Sequence, residues 1–352
     1  MWVKRQVDQL HNHVSVASSR NGYWIVSRDN KCGLDVNEYW STISQVSLMN
    51  VRSSTTKLPV EPGAIAAMSR LFSSGVIREM ARTGRSPLFA RLAIQSKLAD
   101  LVPASECVSA LFDVAFSVLK QAGLRDEYVY KSALTHKILL GRHSLRTACM
   151  LSEFRVGDCK ADVVILNGTS TVYEVKSERD SLQRLVRQVA AYRTVFARVC
   201  VVASESHVSS VVGLIPEDVG ILCLNRRHNI TTVREADDRP DRTSAEAIFN
   251  SLRTREAQLV LSSRGISIPQ MPNTMLHSKV RSLFVKLSPR DAHLGMVDVL
   301  KKTRNLIPLS TLVSQLPTSL HMAALSVPLR RSDHSRLVAA VNTRLEDAVD
   351  WD

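Results

Sequence analysis

Apolar residues change their spacing along this chain, and each change marks a different kind of element. Residues 1–58 are polar and weakly periodic, with Ser- and Thr-rich runs such as SVASSR and VRSSTTK; 23–27 and 46–49 are short strand candidates. From 59 to 125 the spacing turns helical. Ala64, Ala67, Met68 and Leu71 share a face, with Pro62 placed for a first helical turn. Val76, Ile77 and Met80, then Leu88, Leu92 and Ile94, extend the region. Val108, Leu111, Phe112, Ala115, Phe116 and Leu119 give its clearest stripe, closed by Gly123.

The pattern then switches. Residues 130–140, YKSALTHKILL, predict a helix ending at Gly141. Strands are predicted at 150–156, 161–166 and 171–176, separated by the turn pairs Gly157-Asp158 and Asn167-Gly168. A helix from about 180 to 196, a buried strand at 199–203, a short helix near 208–214 and a strand at 220–224 follow. The order is α-β-β-β-α-β with a further α-β unit. It predicts an α/β core over 126–226 with a mixed sheet. The charged stretch 227–243, with RRHN and READDRPDR, is expected to be a surface linker, and 244–352 returns to helical spacing.

Composition adds a partner class. Lys and Arg number 46 against 33 Asp and Glu, a formal charge of +13 with a pI near 9.7. Such an excess concentrates polyanions around a protein. Nucleic acid is the expected partner, although a membrane surface or a ribosome would also satisfy the charge. A hydrophobic content of 45% is enough for buried cores and argues against global disorder. Six cysteines, at 32, 107, 149, 159, 200 and 223, include no CxxC pair, so reduced thiols are expected rather than a disulfide frame or zinc site. There is no apolar run of membrane-spanning length and no apolar signal core, so a cytoplasmic protein without a membrane partner is expected. The tripeptide His11-Asn12-His13 is read as chance, and His136 and His143 lack a carboxylate or Cys at metal spacing.

The candidate chemistry lies in the strands. Glu174 and Lys176 follow Asp162 by twelve and fourteen residues. Strand side chains alternate faces, so 174 and 176 project together while Val175 turns the other way. A hairpin through Asn167-Gly168 brings Asp162 alongside. Two carboxylates and an ammonium group on one sheet edge suit phosphodiester hydrolysis. Hard carboxylate oxygens bind Mg²⁺, with Mn²⁺ as a substitute, and the ion polarises phosphate and acidifies water. Asp162, Glu174 and the Val175 carbonyl are the expected metal ligands. Lys176 would orient the attacking water and offset charge on phosphorus. On the next helix Arg184, Gln188 and Tyr192 form an i, i+4, i+8 stripe. Arg179, Arg184 and Arg187 are the expected phosphate contacts.

The run GDCKADVVILNGTSTVYEVKSERDSLQRLVRQVAAY resembles the PD-(D/E)xK phosphodiesterase superfamily, which includes restriction endonucleases, resolvases and RecB-type exonucleases. Asp162 matches the family's lone Asp, Glu174-Val175-Lys176 its ExK element, and Gln188-xxx-Tyr192 the QxxxY element of RecB-like members. The resemblance implies a restriction-endonuclease-like αβββαβ core with helical flanks. Its motifs span 153–192, and a looser likeness reaches from about 76 to 305. Ala161 stands where many members carry Pro. The acidic residue of the family's first helix has no match within 130–140; Glu153 or Glu127 is available, and Glu153 is preferred because it sits on the strand next to Asp162. The resemblance implies a Mg²⁺-dependent deoxyribonuclease, in defence against foreign DNA or in DNA repair, with RNA cleavage physically open and a homodimer compatible. The alternative from another class is a non-catalytic DNA-binding or regulatory protein on the same fold.

Overall fold

The computed structural model describes residues 61–352 together with three strands that precede them, β1 (Val14–Ser19), β2 (Gly22–Ser27) and β3 (Leu34–Asp35). The chain divides into two units, Met1–Leu58 and Pro59–Asp352. In the first, β1 and β2 pair antiparallel from Ser19↔Gly22 back to Val14↔Ser27, and β3 joins β2. The strand expected at 23–27 lies within β2; the one at 46–49 and the tripeptide at 11–13 lie outside the described residues.

The second unit opens with the helices that the apolar spacing predicts: α1 (Pro62–Leu71), α2 (Ser74–Thr83), α3 (Pro87–Gln95) and α4 (Val108–Leu119). Their boundaries have local causes. Pro occupies the first turn of α1 and α3, where its missing N–H costs nothing. Ser86 caps α3 by accepting from the Phe89 N–H at 3.0 Å. Gly84, at φ 81°, ends α2 in the left-handed conformation that glycine adopts cheaply.

α5 (Glu127–Leu134) starts earlier than its apolar run and continues into a π turn at Thr135–Leu139. Asp126 caps it, accepting from the Val129 N–H at 3.1 Å. Just before it, the buried Arg125 guanidinium donates to the carbonyls of Lys120, Leu224, Asn225 and Arg226, which ties the head of α5 to the end of a sheet strand.

The sheet follows as β4 (Cys149–Val156), β5 (Cys159–Asn167) and β6 (Thr169–Lys176), then α6 (Leu185–Arg193), β7 (Arg198–Ser204), α7 (Val208–Leu214), β8 (Gly220–Leu224) and β9 (Ile230–Arg234). Its order is β4-β5-β6-β7-β8-β9. β4, β5 and β6 are antiparallel, β6, β7 and β8 parallel, and β9 antiparallel. The protein is thus mixed α/β, with a six-stranded mixed sheet among many helices. Gly157 (φ 55°) and Gly168 (φ 72°) take the left-handed turn positions between the antiparallel strands. β9 falls within 227–243, which was expected to be linker; its ladder with β8 uses residues that alternate too little for a sequence signal.

The remaining helices are α8 (Ala245–Ser251), α9 (Thr254–Ser263), α10 (Asn273–Phe284), α11 (Pro289–Thr303), α12 (Ser310–Gln315), α13 (His321–Ser326), α14 (His334–Val341) and α15 (Leu345–Ala348). One apolar core runs from Ile65 to Ala348 and joins the N- and C-terminal helices to the sheet. The five described cysteines are unpaired, four of them buried. Among the described residues no helix is long and apolar enough to cross a membrane.

Candidate active site

Register brings the acidic residues into line. β5 pairs with β6 through Val163↔Tyr173, so the next step sets Asp162 across from Glu174. β4 pairs with β5 through Ser152↔Val163 and Phe154↔Ala161, which sets Glu153 across from Asp162. Three carboxylates therefore occupy one row over three adjacent strands. Glu153 holds φ 56°, in the left-handed region, at a cost of about 1–3 kcal/mol for a non-glycine residue. Like charges facing each other across strands repel, so the row needs cations.

Lysines supply them. The Lys176 ammonium donates to Glu174 Oε1 at 2.9 Å, as expected for two residues on one strand face, and to Gln188 Oε1 at 3.0 Å. Lys160 pairs with Glu153 at 2.8 Å. Lys131, on α5, pairs with Glu127 and with Glu153, and lies 3.7 Å from Asp162. Glu174 is 2% and Lys176 4% exposed.

α6 closes the network. Gln188 Nε2 donates to Glu174 Oε1 at 2.5 Å, and the buried Tyr192 hydroxyl lies 2.9 Å from Glu174 Oε2 and 3.0 Å from the Lys160 carbonyl. Two of the three residues of the expected stripe, Gln188 and Tyr192, thus touch Glu174, and Arg184 does not. α6 itself is shorter than the expected 180–196, because Asp180 turns back to accept from the Ser177 N–H and hydroxyl. Arg184 stands at its N-cap. Arg184 and Arg187 are exposed, make no ion pair among the described residues, and line a cleft of about 210 Å³ with Asp162, Glu174, Lys176 and Gln188. Arg179 goes elsewhere: its guanidinium donates to the Leu124 carbonyl at 3.4 Å, outside the residues that line this cleft.

Burial, then repulsion from Glu174, pushes the Asp162 carboxyl well above the ordinary carboxylate range, against the pull of Lys131. Burial also raises Glu174, against the stabilising effects of Lys176, Tyr192 and Gln188. Glu153 is partly buried, yet Lys131 and Lys160 hold it below its usual value. Burial thus disfavours ionisation of Asp162 and Glu174, whereas the two lysines favour it for Glu153.

The donor set beside Asp162 would fit a divalent cation. Oxygen atoms of Glu127, Glu153 and Asp162 lie within 4.8 Å of one another, and all are hard donors. Glu174 Oε1 already accepts two hydrogen bonds, whereas Oε2 accepts one from Tyr192 and keeps a free lone pair. The Val175 N–H is spent on Asp162 Oδ2 at 2.7 Å, which fixes that carboxylate beside Glu174. The structure brings both Glu127 and Glu153 beside Asp162. Lys131 was not foreseen; the Glu127–Lys131 i, i+4 pair at the head of a helix was the available signal. A second cavity, of about 640 Å³, shares Glu127 and Lys160 with the cleft and runs between Ser73, Ser74 and Arg78 around the start of α2 and Met322, Ala323 and Ser326 of α13.

Comparison with known proteins gives a family. A family model described as bacteriophage P4 protein cII matches residues 120–303, just over half of the 352 residues. Protein cII of Enterobacteria phage P4 is 30% identical over 98 residues, which are 27% of this chain and 33% of that protein. The match thus spans a third of that curated relative's length. A solved structure of a protein of unknown function from Silicibacter pomeroyi covers 35% of this chain and 86% of its own, at 21% identity and a TM-score of 0.24. The family match takes in every site residue from Glu127 to Tyr192. The chain belongs to the bacteriophage P4 protein cII family.

Proposed function

We propose that Asp162, Glu174 and Lys176 form the centre of a divalent-metal-dependent deoxyribonuclease with a PD-(D/E)xK arrangement, using Mg²⁺ or, in its place, Mn²⁺. The observation that carries this is convergence: Asp162, Glu174, Lys176, Gln188, Arg184 and Arg187 line one cleft, although they come from two strands and a helix. A structural ion pair has no need of a second buried carboxylate beside it, because an unbalanced buried charge is costly.

Each residue has a part. Asp162, with Glu153 and Glu127 around it, would hold the metal, and Glu174 would offer Oε2. The ion, when bound, polarises the phosphate and acidifies water. Gln188 and Tyr192 fix the Glu174 carboxylate; Gln188 also accepts from Lys176 and so aims the ammonium group. Lys176 would orient the attacking water and neutralise charge on phosphorus in the transition state. Arg184 and Arg187, exposed at the cleft, would catch flanking phosphates.

The test is incubation of the purified protein with linear, circular and single-stranded DNA, and with RNA, in Mg²⁺, Mn²⁺ and EDTA. Metal-dependent cutting, lost in Asp162→Ala and in Glu174→Ala while circular dichroism is unchanged, is the expected result. A non-cutting, DNA-binding protein is the second reading. It is favoured by the closed bonding of Lys176, whose two hydrogen bonds both go to Glu174 and Gln188. Salt-sensitive binding with no cleavage in any metal would establish that second reading and reject the first.

A further inference from the structure

Lys131 lies one turn into α5, and its ammonium group is enclosed by carboxylates from three elements. Glu127 comes from its own helix, Glu153 stands 2.5 Å away on β4, and Asp162 stands 3.7 Å away on β5. The residue is 7% exposed. Without a cation among them, carboxylates whose oxygens lie within 4.8 Å would repel one another. Lys131 also lines the larger cavity, so its flexible stem has room to swing out of the cluster.

We propose that Lys131 is a positioning residue of the metal-dependent centre: its ammonium is the resident cation that holds Glu127, Glu153 and Asp162 together in the metal-free protein, and it gives way when a divalent ion enters. The proposal rests on the metal-dependent reading of the site. Exchange of one cation for another keeps the cluster near charge balance in both states. It also makes the protein stable before it is loaded, at the expense of metal affinity.

The test compares wild type with Lys131→Met, Lys131→Arg and the double variant Lys131→Met/Glu153→Gln, by thermal melting in EDTA and in Mn²⁺ and by Mn²⁺ titration. In EDTA the Met variant should melt lower by about 4 °C or more, and Arg should restore the wild-type value. Mn²⁺ should return the Met variant to near the wild-type melting point. It should also bind that variant about tenfold or more tighter than wild type, the scale on which groups around a metal site change affinity. The double variant should recover metal-free stability, because both charges leave together. A deficit that neither Mn²⁺ nor Glu153→Gln relieves makes Lys131 a packing residue and overturns the proposal. Should the Met variant fail to fold in EDTA, folding of the double variant supports the proposal and its failure overturns it. If wild type binds Mn²⁺ through Asp162 and the Met variant binds no more tightly, this inference falls while the metal-dependent reading stands. If the Met variant alone binds, the lysine does not give way to the ion, and both this inference and that reading of the native protein fall. If neither binds, both fall.

Discussion

Replacing Lys176 by Met removes an ammonium group and keeps most of the stem. Its effect on stability follows from the surroundings of Glu174, which is 2% exposed and loses one of its three donors, Lys176 at 2.9 Å. Breaking a buried ion pair by deleting one partner costs about 3–5 kcal/mol. Gln188 and Tyr192 remain on the carboxylate, and Glu174 already resists ionisation because it is buried, so it can take up a proton and escape part of that cost. The loss should therefore lie near the lower end, about 3 kcal/mol at about pH 8. The sign of its pH dependence is fixed. In the variant, folded Glu174 holds its proton to a higher pH than the unfolded carboxyl does at 4.5, so the folded state binds more protons and stability rises as pH falls. Urea melts in EDTA at about pH 8 and about pH 5.5 should show the deficit against wild type shrinking on acidification. Glu174→Gln combined with Lys176→Met should recover most of it. A deficit that is equal at both pH values and persists in the double variant would refute the buried-pair reasoning and leave only lost packing. On the proposed nuclease reading, turnover of DNA in Mg²⁺ should fall by a factor on the order of 10² or more while DNA affinity changes little, since there the charge would act chiefly on the transition state.

Arg184→Ala with Arg187→Ala should flatten the dependence of log affinity on log salt by about 1.4–1.8, measured by DNA fluorescence anisotropy, because each phosphate contact contributes about 0.7–0.9; an unchanged slope would place the DNA track elsewhere. His293 is buried against the Ser170 hydroxyl at 2.8 Å, and burial pulls its pKa down to about 4 from 6.5. The unfolded chain then binds more protons between those values, so this contribution is intact above 6.5 and is lost as pH falls toward 4, by about 2 kcal/mol at about pH 5. Denaturant melts of His293→Gln should show a flatter acid limb than wild type, and an identical limb would exclude His293 as its source. A Cβ at Gly295 of α11 would stand 2.5 Å from Val260 Cγ1 of α9, so Gly295→Ala should cost about 1–3 kcal/mol, with Val260→Ala on the same chain relieving the clash. A neutral Gly295→Ala in the same melts would show that the two helices have slack.

Local rules were enough to read the three antiparallel strands and their turns. Gly157 and Gly168 mark reversals that need left-handed backbone, and alternation along 171–176 commits Glu174 and Lys176 to one face. Helical spacing likewise set Gln188 and Tyr192 one turn apart, and both reach Glu174. Those relations are short in sequence, so the geometry of a single element determines them. Whatever depends on how one element docks on another was decided by the tertiary structure. Glu127 and Lys131 enter the site because buried Arg125 ties the head of α5 to carbonyls at and after the end of β8, about a hundred residues away. No periodicity in residues 130–140 carries that information, since it lies in the cost of leaving a buried guanidinium and buried carbonyls unpaired. α2 and α13 border the same cluster through a shared core, although their sequences show only generic helical faces. Arg179, close in sequence to Lys176, was drawn away to the Leu124 carbonyl, while Arg184 and Arg187 line the cleft. Charge and spacing in the sequence list the groups available to a site; packing selects which of them meet, because only the folded core fixes distances between segments far apart in the chain.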